Sequence, residues 1–152
     1  MKSTKKIQNL ESAEQKAFGI ELECAAQAVL PGCVVGAKVK VKAGLEAISV
    51  SGVFIDLYDS EEIALKNISN NPWAPLAFTY RAMNESFRVA PSFQLGANET
   101  KTLEGKFRLP INFQPTFAGQ FARHDWQIRA RVETTSGDAD SGFQKFIIGA
   151  GF

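Results

Sequence analysis

At 152 residues, 45% apolar and 22% charged, the chain has room for one hydrophobic core that buries roughly 70% of the unfolded surface. Seventeen Lys and Arg against sixteen Asp and Glu leave a formal charge of +1, which excludes a general attraction to nucleic acid or anionic membrane. Two cysteines and one histidine exclude a disulfide framework and a structural zinc site, which takes about four Cys/His ligands.

The opening MKSTKKIQNLESAEQKA is polar and lysine-rich, so residues 1–15 read as a tail or short lead-in helix. No apolar h-region stands behind its basic cluster, and no run approaches the ~20 apolar residues of a membrane helix. A secretory signal and membrane insertion are therefore not expected, and a reducing cytoplasm is.

From Lys16 onward the period is two, and residues 16–152 read as a single domain. Phe18, Ile20, Leu22 and Cys24 alternate with Gly19, Glu21 and Glu23, a strand with one apolar side. Pro31-Gly32 marks a turn. In CVVGAKVKVKA, Cys33, Val35, Ala37, Val39 and Val41 face one way and Lys38, Lys40 and Lys42 the other, a half-buried strand. Both cysteines fall on apolar positions and are expected as buried thiols. In AISVSGVFIDLYD, Ile48 and Val50 share one parity while Val53, Ile55 and Leu57 take the other. A strand changes its buried face only through an extra residue, which predicts a β-bulge near Ser51-Gly52.

Residues 59–76 break the alternation and predict a helical turn at SEEIALK followed by an Asn/Pro-rich loop. Strands return at LAFTYRAMNESFRV, SFQL, TLEGKFRLP, HDWQIRARVE and FQKFIIG, the last two joined by the polar turn TTSGDADSG. About eight short strands with almost no helix describe an all-β sandwich of antiparallel, immunoglobulin-like type.

The stretch PTFAGQFARHDWQIRARV holds the lone histidine beside an aspartate. Trp126, Ile128, Ala130 and Val132 share one parity, with Asp125, Gln127, Arg129, Arg131 and Glu133 on the other, so this is a strand with a buried tryptophan-led face. His124 stands at its entrance. Adjacent strand residues point to opposite faces, so Asp125 cannot orient His124 as a triad acid, and no G-x-S-x-G elbow supplies a nucleophile. No catalytic residue is assigned. The acids Asp56, Asp59, Glu61 and Glu62, with Asp138 and Asp140 as a second source, raise a calcium reading; a solvated acidic turn is the plainer one. The glycines near Gly32–Gly36 and in GAGF lack the strand-to-helix context of a phosphate loop. Lys38, Lys40 and Lys42 read as solubility residues on an exposed strand face, with an RNA or phospholipid contact, joined by Arg129 and Arg131, as the other reading. Trp73, in NNPWAPL, is the candidate partner-contact residue, with a lid over the sandwich as the other reading.

The order of segments resembles an arrestin-like domain, of the bacterial sporulation-control type. The residues that carry the likeness are Pro31-Gly32 with Gly36 to Val41, Ile48 to Leu57, Phe107 to Pro110 with Pro115, Thr116 and Gly119, and Trp126 to Val132. It covers roughly residues 16–148. The resemblance implies an immunoglobulin-like sandwich that acts as a protein-binding adaptor and performs no chemistry. Such proteins carry two sandwiches in tandem, and this chain has room for one. No cofactor or metal is expected. The expected partner is another protein, or a second copy, bound through an exposed sheet edge or the 59–76 loop; the alternative is a carbohydrate-binding or calcium-dependent accessory module.

Overall fold

The computed structural model describes residues 18–24, 28–65 and 76–150. Its strands are β1 (Gly19–Cys24), β2 (Ala28–Val29), β3 (Val34–Lys42), β4 (Ile48–Leu65), β5 (Leu76–Ala90), β6 (Phe93–Leu95), β7 (Thr100–Arg108), β8 (Phe117–Ala118), β9 (Ala122–Thr134), β10 (Gly137–Asp140) and β11 (Gln144–Ile148). They form two sheets. The smaller has the order β1-β3-β7; the larger has β2-β11-β9-β4-β5, with β6 on β4 and β8 and β10 on β9. Pairing is antiparallel throughout, apart from the parallel pair of β2 with β11.

Period two explains the layers. Val35, Val39, Val41 and Phe107 project from the smaller sheet onto Val53, Ile55, Leu57, Trp126, Ile128, Ala130 and Val132 of the larger, all nearly or fully buried. Trp126 is 1% exposed and leads this interior, as its parity predicts. Turn chemistry follows the sequence as well. Gly32 has φ +82°, donates its N–H to the Leu109 carbonyl at 2.9 Å, and leaves no room for a Cβ beside Ile111. The register of β4 on β9 slips between Val50 and Gly52, so the bulge stands where the change of parity places it.

Three expectations are corrected. Residues 60–65 of SEEIALK are strand, not a helical turn: β4 runs 18 residues, about 60 Å, and β5 begins at Leu76. Alternation fades there because the smaller sheet does not cover that end, so nothing demands apolar residues at Asp59 and Glu61. The turn TTSGDADSG contains a strand, since Gly137–Asp140 folds back on β9 from Thr134 to Arg131. Cys33 is exposed because it precedes β3 at the rim of the sandwich, and Cys24 is half-buried. Both thiols are free. Among the described residues, no helix is long and apolar enough to cross a membrane.

Candidate functional site

His124 belongs to β9 and shares the inner face with Trp126; it is 1% exposed. Its Nδ1–H donates to the Pro115 carbonyl at 3.0 Å, and its Nε2 meets Asp59 Oδ2 at 3.2 Å. Trp126 Nε1 donates to the Gln114 carbonyl at 2.8 Å, and Phe113 stacks on the indole with centroids 4.7 Å apart. Together they pin residues 113–115 over the end of the core. Asp125 points to the opposite face and pairs with Arg123 at 2.6 Å. Both imidazole nitrogens are thus engaged by oxygen atoms, and neither is free to relay a proton to a nucleophile. The histidine is an anchor inside the strand, not a residue at its loose entrance. Its acid comes from β4, a pairing that sequence adjacency hides.

A second cluster lies on the outer face of the larger sheet. Asp56 has no exposed surface. It accepts hydrogen bonds from Ser86 Oγ at 2.7 Å, Arg131 Nε at 2.9 Å and Arg129 Nε at 3.1 Å. Burial alone raises the Asp56 pKa, but the bonds from Arg131, Ser86 and Arg129 and the charge of Arg131 outweigh it, so the carboxyl sits below its ordinary value. The Arg131 guanidinium is held protonated by the same contact. Arg129 also reaches Asp140 at 3.5 Å, and Arg131 reaches Asp138 at 3.6 Å. The structure therefore brings Asp138 and Asp140 to Asp56, as a calcium site needs, but places two guanidinium groups between them. Asp59 faces the other side of β4. Among the described residues no cluster of three potential metal ligands forms.

The lysine stripe lies on the smaller sheet, flanked by acids. Lys40 stands opposite Glu21, and Lys38 lies between Glu23 and Glu104, whose carboxylate is 3.6 Å from its Nζ. Arg129 and Arg131 belong to the other sheet, so the basic residues build no joint patch.

A third feature is the edge strand β5. It ends the order of the larger sheet, and among the described residues it pairs only with β4. Towards its start the smaller sheet no longer covers it. Phe78 stands opposite Ile63 and Tyr80 opposite Glu61, on the face that carries His124; they are 59% and 61% exposed. Thr79 and Arg81 take the other face and are exposed too. LAFTYRAMNESFRV predicts the strand, but no residue pattern in it marks Phe78 and Tyr80 as lacking a covering layer. Trp73, the residue singled out for partner contact, lies outside the described residues, as do residues 1–15.

Neither a protein-family model nor a curated protein matches the chain. Among solved structures, it is similar to the sporulation control protein Spo0M of Bacillus subtilis, with a TM-score of 0.68 and 21% identity. The alignment covers 89% of this chain and 50% of that one, so the chain spans about half the length of Spo0M. At this identity the likeness speaks for fold, and the fold is that of an arrestin-like β-sandwich, as the order of turns and strands implies.

Proposed function

We propose that the chain is a non-catalytic protein-binding module that engages its partner by strand addition along the free edge of β5. The observation that carries this is the pair of exposed aromatics, Phe78 and Tyr80, on an edge strand of 15 residues. An unpaired edge offers N–H and C=O groups to an incoming strand, and exposed rings beside it supply the apolar contact that makes such pairing selective. Free thiols at Cys24 and Cys33 suit a reducing cytoplasm. The engaged imidazole of His124 and the arginine-filled acid cluster favour binding over chemistry.

The test is capture of a partner from the source organism by the wild-type chain and by a Phe78→Glu, Tyr80→Glu double variant. The variant is expected to lose the partner while keeping the wild-type circular dichroism spectrum and melting temperature. Equal capture by both chains would remove β5 as the binding edge.

A further inference from the structure

We infer that the strand received by β5 is the β5 of a second copy of this chain, paired antiparallel about a two-fold axis through Thr79. This rests on the reading of β5 as the binding edge and names its occupant. A closed two-fold interface must be self-complementary, and continuous sheet faces across it require each residue to meet a partner of the same parity.

Centring on Thr79 sets Phe78 of each copy opposite Tyr80 of the other, which gives two cross-strand aromatic pairs on one face. It also sets Arg81 opposite position 77, an alanine in the sequence. Centring on Arg81 places two guanidinium groups face to face, which repel. Centring on Phe78 or Tyr80 leaves one aromatic pair instead of two. Arg81 itself is held by Gln127 at 2.8 Å and lies over the Phe143 ring at 4.1 Å, so it is already directed back over its own sheet and away from the shared edge. The packing of β5 favours the same end of the strand. Its register against β4 slips between Leu57 and Tyr58, and further on it packs against β7, where Phe87 stacks on Phe107. The first half of the edge is the part without that packing.

Cysteine cross-linking reads the register directly. Opposed residues on the axis have Cα atoms about 5 Å apart, within disulfide reach, whereas a residue two positions off the axis is about 13 Å from its own copy. In a Cys33→Ser background, Thr79→Cys is expected to form a covalent dimer under mild oxidation, and Arg81→Cys is not. Phe78→Glu is expected to raise the dimer dissociation constant at least about tenfold by sedimentation or light scattering, with the melting profile of the dilute monomer unchanged. Cross-linking through Arg81→Cys but not Thr79→Cys overturns the register, and a dimer indifferent to Phe78→Glu overturns the interface. A chain that stays monomeric at every concentration overturns the second copy as occupant. If that monomer still captures a different protein through Phe78 and Tyr80, the binding edge stands and only this inference fails.

Discussion

A carboxylate without exposed surface persists at position 56 because three side-chain donors converge on it and two of them are cations. Its folded pKa lies below the unfolded value of about 3.9. The resulting stabilisation is fully present above the unfolded pKa and is lost as pH falls through the folded one. Melting temperatures recorded from neutral pH down to about pH 2 should therefore fall on the acid side for the wild type, and Asp56→Asn should flatten that limb. At neutral pH the same variant should lose roughly 3 kcal/mol, because Arg129 and Arg131 are left facing a neutral amide; an unchanged acid limb would locate the sensitivity elsewhere. The alternation around Arg129 and Arg131 already marks an outer face in the sequence. That Asp56 lies under those arginines is not legible there, because its depth comes from Ser86 on one neighbouring strand and the guanidinium groups on the other.

At the scale of elements, one contact between the two sheets runs through a glycine. A Cβ at Gly105 of β7 would stand 2.6 Å from Val89 Cβ of β5, inside any real contact distance. Gly105→Ala should cost roughly 1–3 kcal/mol in urea unfolding, and adding Val89→Gly, which removes the opposing Cβ, should recover part of that. A double variant no more stable than the sum of its parts would show that the two residues do not meet. The sequence foretells strands here but not which strand lies over which, since β5 and β7 belong to different sheets. Elsewhere its reach is uneven for a physical reason. Alternation is legible wherever a second layer enforces it, from Val35 to Val41 and from Trp126 to Val132, and even the bulge at Gly52 follows from it. Residues 59–63 have neighbours on both sides but no second sheet above, so their hydrogen bonds make a strand that their side chains do not announce.

For the whole molecule, that difference divides the larger sheet into a covered body and an uncovered arm. The body shares one dry interior with β1, β3 and β7, led by Trp126, and its amides should exchange only when the domain opens as a unit. The arm, made of β4 beyond Leu57 and the first half of β5, has Ile63, Phe78 and Tyr80 open to water and little packing to resist local opening. Phenylalanine forms core elsewhere in this chain, at Phe107 and Phe146, so sequence alone cannot mark Phe78 as surface; only the reach of the smaller sheet decides it. Amide hydrogen exchange on the dilute chain should accordingly be faster at 59–63 and 78–83 than at 126–132 or in β3. Raising the protein concentration should slow 78–83 selectively if two edges meet there, and leave 59–63 nearly unchanged, since β4 already has partners on both sides. Uniform protection across arm and body at low concentration would mean that the aromatics of β5 are covered in solution by something other than a second edge strand, and the arm would then be part of the core.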